Sequence, residues 1–412
     1  MLMDVNRNNT FSHILLKSVL DKYNYIEEHD KAFIKRIFEG TLEREITIDH
    51  IINTYSKVPV EKMKPLIRSL MRMSVYQIMY MDRVPDRAVI DESVKLTRKR
   101  GFKDLTGFVN GVLRKISSEK DNITDSDDLS VRYSASRILT DSLIEDYGEA
   151  PAEDILKESL KVRHLVVRIR EELFKSDVDA ILDEWDSEGI TYRCLMNPGY
   201  AYELKDTEDL SRLACFRKGY YTVMDTSSML VCEKAHIRQG DHVLDVCAAP
   251  GGKSLHAVSK GAVVEARDIS QYKVSIIEEN ILRLHAENIT TKVWDASVFD
   301  ESASDSADIV LADVPCSGFG VIGKKPDIKR NITRDSLDSL VDLQRSIIDC
   351  AVRYVKPGGY LMYSTCTLRK AENEEQVAYI TVNHRFELEE METVFPDDDH
   401  DGFFIARLKR IG

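Results

Sequence analysis

A glycine-rich turn follows a short apolar stretch in the second half of the chain, from Asp245 to Ser254, with the sequence DVCAAPGGKS. Glycine allows a ligand to approach the backbone closely where a strand turns into a helix. The turn departs from the G-x-G-x-x-G spacing of dinucleotide-binding proteins and lacks the G-x-x-x-x-G-K-[ST] spacing of the P-loop. It therefore indicates a ligand site that differs from a dinucleotide site and from an NTP phosphate site.

Acidic residues close the next two strand-like stretches. Asp268 lies seventeen residues after Gly251, about where a carboxylate would reach a ribose hydroxyl, and Asp295 closes the stretch TKVWDA. A single acid at such a position is more often a turn residue or a helix cap. Three acids at successive strand ends, with Asp245 as the first, favour a nucleoside ligand without phosphates. S-adenosylmethionine is such a ligand.

Two cysteines end later strand-like stretches and could act as nucleophiles. Cys316 stands in DVPCSGFG, which begins at Asp313, and Cys366 stands in YSTCTL. The thiolate is the reactive form of cysteine and needs a lowered pKa or a nearby base. A thiolate could add to carbon 6 of a cytosine and make carbon 5 nucleophilic, while an acid group protonates or hydrogen-bonds the ring nitrogen. The alternative is that both are small buried side chains.

The elements that must position these residues alternate in type from about residue 219. Short apolar runs alternate with helical stretches; the runs are 242–249, 263–270, 307–315 and 359–366, and the helices include 271–286 and 336–354. This alternation predicts a doubly wound, mostly parallel α/β sheet of Rossmann-like type. Ligands of such sheets bind at the carboxyl ends of the strands, where all of the residues above fall.

Two further regions precede this one. Residues 1–120 show apolar residues at helical spacing, interrupted by glycine and proline, and predict a compact all-α unit. Residues 121–218 begin with a polar, acidic linker and then mix helical stretches with short strand-like runs, which predicts a small α+β domain. The third domain is predicted to span 219–412.

Composition limits the classes of protein that the chain could be. It has 412 residues and a net charge of −13, which argues against a nucleic-acid partner because phosphates are bound by Lys and Arg. Residues 61–120, however, carry fourteen Lys and Arg against seven Asp and Glu. This segment could be an RNA-binding surface or a solvated helix face, and charge alone does not decide between the two.

The spacing of the cysteines and the hydropathy of the chain limit where in the cell the protein could act and whether it could hold a metal. The seven cysteines include no C-x-x-C pair, so the sequence predicts neither a zinc site nor a disulfide framework. No run approaches the roughly 18 apolar residues of a membrane span, and the polar start, MLMDVNRNNT, lacks the apolar core of a secretory signal. We therefore expect a cytoplasmic protein that binds neither a membrane nor a metal. We also expect it to act as a monomer.

The motifs DVCAAPGGKS, DVPCSGFGVIGKKPDIK and YSTCTL, with the closing DGFFIARLKR, resemble those of the RNA 5-methylcytosine methyltransferases. The stretches YQIMYMDRVPDRAVIDESVKL and FVNGVLRKI resemble a NusB-like RNA-binding helical domain. The middle region is similar to the small RRM-like domain of the family, without the aromatic RNA-stacking signature of a true RRM. Bacterial enzymes that modify cytosine 967 of 16S rRNA have this arrangement, so the resemblance implies that reaction, with S-adenosylmethionine as cofactor.

The resemblance also implies roles for individual residues. Cys366 would add to carbon 6 of a loop cytosine in small-subunit rRNA, Cys316 would assist release of the product, and Asp313 would contact the cytosine. The residues that would hold the cofactor are Cys247, Ala248, Ala249, Pro250, Gly251, Gly252, Lys253, Asp268, Asp295 and Asp313. Many relatives have two arginines where this chain has Gly323 and Lys324, so bidentate phosphate contacts would be lost here.

Three alternatives stay open at the level of sequence. The same chemistry could act on tRNA or on large-subunit rRNA. A DNA cytosine methyltransferase would use the cysteine of the Pro-Cys dipeptide, Cys316, as its nucleophile, and loss of Cys366 would then leave activity intact. A ribosome assembly factor with an inert methyltransferase fold would bind RNA without catalysis, although it would have no need of the two cysteines and the glycine-rich turn.

Overall fold

The computed structural model describes residues 1–8, 12–23, 25–171, 178–207 and 209–412. The chain forms two compact units. The first consists of Met1–Leu160 together with Lys324–Ile332, and the second of Lys161–Gly323 together with Thr333–Gly412.

The first unit is built from helices. They are α1 Leu2–Asn8, α2 Ser12–Lys22, α3 Glu28–Glu43, α4 Glu45–Tyr55, α5 Pro65–Tyr80, α6 Asp86–Lys99, α7 Thr106–Glu119, α8 Leu129–Arg132, α9 Arg137–Tyr147, α10 Glu149–Glu158 and α16 Pro326–Asn331. Apolar side chains at helical spacing meet in a core that includes Ile48, Ile52, Met71 and Leu113. The prediction of an all-α N-terminal unit is therefore confirmed.

Helices α8 to α10 pack with this unit, although the sequence pattern groups them with the small α+β domain at 121–218. Thr47 Oγ1 donates a hydrogen bond to the Val131 carbonyl at 2.5 Å, and the Ile46 N–H donates to Ser134 Oγ at 3.0 Å. Such contacts between residues far apart in sequence are not visible in a periodicity pattern. The finer domain boundaries at 120 and 218 stay predictions.

Helix α16 is held in the first unit by buried polar contacts. Asp327 Oδ2 accepts hydrogen bonds from the backbone N–H and from Oγ of Ser12, both at 2.8 Å. The guanidinium of Arg330 lies 3.2 Å from a carboxylate oxygen of Glu45. The chain therefore returns a short segment to the helical unit from a position 315 residues further along than Ser12.

A four-stranded antiparallel sheet opens the second unit, in the order β2-β3-β1-β4. Its elements are β1 Leu165–Ile169, α11 Val178–Ser187, β2 Thr191–Leu195, β3 Ala201–Lys205, α12 Ala214–Arg217 and β4 Tyr221–Val223. This β-α-β-β-α-β sequence of elements is the ferredoxin-like arrangement to which RRM domains belong. Trp185 fills its core and donates a hydrogen bond from Nε1 to Tyr221 Oη at 3.2 Å.

A seven-stranded sheet follows, in the order β10-β11-β9-β8-β5-β6-β7. Its strands are β5 His242–Asp245, β6 Val263–Asp268, β7 Ile289–Val293, β8 Ala307–Asp313, β9 Val355–Thr365, β10 Phe386–Val394 and β11 Phe403–Arg410. The helices of this part are α13 Thr226–Lys234, α14 Gly252–Ser259, α15 Gln271–Leu284, α17 Arg334–Tyr354 and α18 Glu374–Asn383. Strands β5 to β9 are parallel, and β10 and β11 form an antiparallel hairpin on one edge.

This sheet confirms the predicted doubly wound, mostly parallel architecture. Its central residues, such as Val310 and Leu361, are fully buried because helices cover both faces of a parallel sheet. The long helix α17 begins with a capping box, in which Thr333 and Ser336 satisfy each other's backbone N–H groups. Among the described residues, no helix is long and apolar enough to span a bilayer.

Candidate active site

The carboxyl ends of neighbouring parallel strands carry the residues that the sequence singles out. Cys366 directly follows β9, Cys316 follows β8, the glycine-rich turn follows β5, and Asp268 ends β6. Asp295 lies two residues beyond the end of β7. Because the strands lie in the order β9-β8-β5-β6-β7, the cysteines stand at one end of this row, Asp268 and Asp295 stand at the other, and the turn lies between them.

Two carboxylates shape the turn after β5. Asp245 Oδ2 accepts a hydrogen bond from Ser254 Oγ at 2.6 Å, and Asp268 Oδ2 accepts one from the Ala249 N–H at 3.0 Å. Gly251 caps helix α14 with a φ of +100°, a left-handed conformation that favours glycine. These bonds hold the turn as a preformed stretch of backbone at the start of a helix.

Each of the three acids has local hydrogen-bond partners. Burial raises the pKa of Asp245 to about 7, against the opposing effects of Ser254 and Lys253. The Asp268 carboxylate also pairs with Lys273 at 3.0 Å. Asp295 Oδ1 accepts a bond from the N–H of the residue two positions on, which makes an Asx turn. Their proposed role toward a cofactor stays a prediction.

A partly buried ion pair joins the turn to the end of β8. Lys253 Nζ lies 2.8 Å from Asp313 Oδ2, and Ser364 Oγ donates to Asp313 Oδ1 at 2.8 Å. Lys253 Nζ also lies 3.2 Å from Ser228 Oγ and 5.2 Å from the centroid of the Phe403 ring. Burial alone would lower the pKa of Lys253, but the carboxylate of Asp313 outweighs it and raises the pKa, so the ammonium stays charged at neutral pH.

The two cysteine thiols are in contact. Cys316 Sγ lies 3.2 Å from Cys366 Sγ, and both side chains are partly exposed. The hydrogen bond with Cys366, together with burial, raises the pKa of Cys316 well above its ordinary value. Cys316 is therefore a neutral thiol at pH 7, and one thiol can pass a proton directly to the other sulfur.

The sequence interpretation missed three residues of this site. Ser228 lies on α13, Ser364 lies near the end of β9, and Phe403 begins β11. Ser364 carries a signal that could have identified it, because it stands two residues before Cys366 and so faces the same side of the strand. Phe403 stands in the closing motif DGFFIARLKR, but that motif does not indicate a contact with Lys253. No sequence pattern marks Ser228, since only the folded chain brings it to Lys253.

A second charged cluster lies elsewhere in the same unit. Glu171, Glu233 and His256 bring potential metal-ligand atoms within 4.8 Å of one another. Lys260 Nζ, however, lies 2.9 Å from Glu171 and 2.7 Å from Glu233 and supplies a positive charge between them. Burial would raise the pKa of Glu233, but hydrogen bonds from His256, Lys260 and Tyr200 outweigh it and lower the pKa to about 2.

Comparison with known proteins identifies both ends of the chain. Residues 234–409 match the family described as 16S rRNA methyltransferase RsmB/F, and residues 1–118 match the NusB family. The "Probable ribosomal RNA small subunit methyltransferase B" of Bacillus subtilis is 34% identical over 445 residues, covering 100% of this chain and 97% of that protein. The "Ribosomal RNA small subunit methyltransferase B" of Escherichia coli O1:K1 / APEC is 28% identical, covering 93% and 91%.

Solved structures share the fold. The crystal structure of PH0851 matches with a TM-score of 0.80 and 22% identity, covering 96% of this chain and 93% of that one. NSun6 from Pyrococcus horikoshii, solved with SFG, matches with a TM-score of 0.60 and 21% identity, covering 67% and 98%. The chain therefore belongs to the 16S rRNA methyltransferase RsmB/F family and is an S-adenosylmethionine-dependent rRNA methyltransferase with an N-terminal NusB-family domain.

Proposed function

We propose that this protein methylates carbon 5 of a cytosine in 16S rRNA, at position 967, through a transient covalent bond between Cys366 and carbon 6 of the base. The observation that carries the proposal is the contact between the Cys316 and Cys366 thiols, 3.2 Å apart, at the carboxyl ends of adjacent strands. A single nucleophile needs no second thiol beside it. Two thiols in contact suit a reaction in which one bonds to the base and the other assists its release.

The turn after β5 and the acids beside it suit the cofactor. S-adenosylmethionine, when bound, supplies an electrophilic methyl group on a positively charged sulfur. Asp313 offers a negative charge for such a cation, and Asp268 and Asp295 offer acceptors for hydroxyl and amino groups. Ile269, whose side chain is 59% exposed beside Asp268, offers an apolar surface for a nucleobase. Residues 247–253 would meet the ligand with their backbone.

Cys366 is the nucleophile in this proposal. Its sulfur adds to carbon 6 as a thiolate, and the ring then carries an enamine whose carbon 5 attacks the methyl group. Asp313 contacts the cytosine ring from a position fixed by Lys253 and Ser364. The ammonium group of Lys253 and the hydroxyl of Ser364 each bind one oxygen of this carboxylate, which leaves it little freedom to rotate. The carboxylate is therefore preorganised to contact the base.

Cys316 completes the cycle. After methyl transfer, carbon 5 loses its proton, the bond between Cys366 and carbon 6 breaks, and the ring becomes aromatic again. The neutral Cys316 thiol can give its proton to the departing Cys366 sulfur and take up the proton lost from carbon 5. Before it adds to carbon 6, Cys366 loses its thiol proton to solvent, so one proton leaves over the whole cycle and both cysteines end as thiols.

The target base must leave its stack, because a side chain cannot reach carbon 6 inside a helix. Unpaired loops in RNA lower that cost, so a loop cytosine is the favoured substrate. The helical unit supplies the second part of the proposal, namely that residues 1–120 bind rRNA. Its segment 61–120 is the basic part of an acidic chain. We further propose that the enzyme acts as a monomer.

The experiment is bisulfite sequencing after incubation with the protein and S-adenosylmethionine. The substrates are unmodified 16S rRNA, 23S rRNA and tRNA in parallel, and the Cys366→Ala protein is the control. We expect one protected cytosine, at position 967 of 16S rRNA. Protection in tRNA or 23S rRNA would keep the chemistry and replace the substrate. Complete conversion of all three RNAs, with cofactor binding verified by calorimetry, would contradict cytosine-5 methylation and favour an assembly factor.

A further inference from the structure

A buried polar network lies beneath the two cysteine turns, away from the groups that would touch substrate. Its members come from three segments and are at most 9% exposed: Ser317, Gln344, Tyr363, Thr365, Thr367, Glu372 and Asn373. Burying so many polar groups is costly unless each has a partner. Their hydrogen bonds therefore show what the network holds in place.

Glu372 holds both neighbours of Cys316. Its Oε2 accepts the N–H of Ser317 at 2.9 Å and an N–H of the Gln344 amide at 3.0 Å. The same Gln344 amide nitrogen donates to the carbonyl of Pro315 at 2.9 Å. The residue after Cys316 is thus bound to this carboxylate oxygen directly, and the residue before it is linked to the same oxygen through the Gln344 amide.

Asn373 does the same for Cys366. Its Oδ1 accepts a hydrogen bond from Thr365 Oγ1 at 2.6 Å, and its Nδ2 donates to the carbonyl of Thr367 at 2.9 Å. A direct bond joins the two turns, since Ser317 Oγ lies 2.7 Å from Thr367 Oγ1. Two consecutive residues therefore hold the flanks of two cysteines that are 50 positions apart in sequence.

We propose that the dipeptide Glu372-Asn373 is a positioning element that sets the separation of the Cys316 and Cys366 thiols. Neighbouring Cα atoms are about 3.8 Å apart whatever else moves, so the dipeptide acts as a fixed spacer. Neither residue touches substrate, because both are fully buried. The part of this role that concerns catalysis rests on the proposed function, in which both thiols take part in the reaction.

The test uses Glu372→Gln and Asn373→Asp, which keep side-chain size but change the hydrogen-bonding groups. Glu372→Gln removes the negative charge and puts an NH2 donor at one of the two carboxylate oxygens, which accept from Ser317, Gln344 and Arg369. Asn373→Asp removes the donor to the Thr367 carbonyl. The matched controls are Glu375→Gln and Asn383→Asp, which make the same chemical changes at exposed positions of α18. Cofactor affinity and the thermal midpoint are measured for all four proteins to verify folding.

The first readout is independent of methylation. Diamide oxidises two thiols to a disulfide and is reduced to the hydrazine, and peptide mapping by mass spectrometry identifies the Cys316–Cys366 product. Because a disulfide demands specific geometry, we expect the two network variants to form it about 10-fold more slowly than the wild type and the controls. Equal rates in all five proteins would overturn the positioning role.

The second readout is kinetic. We expect kcat to fall about 100-fold in both network variants, with KM for RNA unchanged, because an error of about 1 Å between reacting groups has that effect. A denaturing gel should show more covalent protein–RNA adduct, since Cys316 would be displaced from Cys366. Unchanged kcat would also overturn the proposal.

The two readouts separate this inference from the proposed function. If the wild type forms the disulfide quickly and the variants slowly, but no cytosine is methylated, the network positions the thiols and the proposed reaction is wrong. If methylation is normal and the disulfide rates are equal, the network has no positioning role. If Glu372→Gln does not fold, Asn373→Asp and Thr367→Val, which removes the hydroxyl between the turns, decide the outcome.

Discussion

Lys253 and Asp313, which are 60 positions apart in sequence, form a partly buried ion pair with 2.8 Å between Nζ and Oδ2. The pair joins the turn proposed to hold the methyl donor to the strand end proposed to hold the cytosine. Removing one partner of a partly buried pair leaves the other charge without its counter-ion in a position that water reaches only in part, which is costly. We therefore expect Lys253 to affect the proposed chemistry as well as the shape of the turn.

Lys253→Met should lower the single-turnover methylation rate at least about 100-fold, because Asp313 would lose the group that orients it. The measurement is quench-flow with radiolabelled S-adenosylmethionine at saturating cofactor. Lys260→Met is the matched control, since Lys260 is also partly buried between carboxylates but lies in the cluster with Glu171 and Glu233. It should lower stability and leave the rate within about threefold. Equal rates in both variants would argue against the role of Lys253.

The cysteine variants should separate the two roles. Cys366→Ala should form no covalent adduct with RNA and give no product, because the nucleophile is gone. Cys316→Ala should accumulate the adduct, since release lacks its proton donor. Denaturing gel electrophoresis with labelled RNA measures both, and the double variant, which should form none, is the control. Adduct in Cys366→Ala would assign the nucleophile to Cys316, as in DNA cytosine methyltransferases.

Asp245 should make stability decrease as pH rises toward neutrality. Its folded pKa is raised by burial from 3.8 to about 7, so the native state binds a proton that the unfolded state has lost. The contribution is fully present below pH 3.8 and is lost as pH rises through about 7. The full contribution of this proton to the free energy of unfolding is on the order of 4 kcal/mol.

The measurement is the thermal midpoint between pH 5 and pH 8. Asp245→Asn cannot ionise and should gain stability relative to the wild type across this range. Asp183→Asn, which removes an exposed carboxylate from α11, should run parallel to the wild type. Parallel profiles for Asp245→Asn as well would show that this carboxyl does not titrate there.

Gly320→Ala should damage the site by steric overlap. A Cβ at Gly320 would lie 1.9 Å from the carbonyl oxygen of Gly402, and the Gly320 N–H donates to the Cys366 carbonyl at 3.0 Å. We expect a loss of roughly 1–3 kcal/mol or more in unfolding free energy, and a lower methylation rate. Gly107→Ala in α7, where a Cβ meets nothing within 4 Å, should have neither effect. Urea denaturation and initial rates measure both.

The basic helical surface should contribute to RNA affinity in a salt-dependent way. Residues 98–100, Arg-Lys-Arg, are exposed at the end of α6. Replacing all three by Gln should weaken binding and reduce the slope of log K against log salt by up to about 3. Replacing the exposed Arg212, Arg217 and Lys218 by Gln removes the same charge elsewhere and should change the slope much less. Filter binding at several salt concentrations measures both slopes. Equal slopes for the two triple variants would indicate that residues 98–100 form a solvated helix face with no special role in RNA binding.

Much of the architecture follows from local pattern. The alternation of apolar runs and helical stretches predicts strands at 242–249 and 307–315, and the structure has β5 and β8 there. The spacing of apolar residues predicts the helical unit, which is confirmed. The acids and cysteines at strand ends follow from the same pattern, because in a parallel sheet all carboxyl ends lie on one edge.

The sequence by itself therefore determined the fold class, the family and the residue types at the site, since these depend on periodicity and contiguous motifs. Only the tertiary structure decided the pairing of Lys253 with Asp313, the contact of Cys316 with Cys366 and the network around Glu372 and Asn373. These contacts depend on which strands become neighbours. That order is settled by packing of the whole chain, and hydrogen-bond partners 50 or more positions apart leave no periodic trace in the sequence.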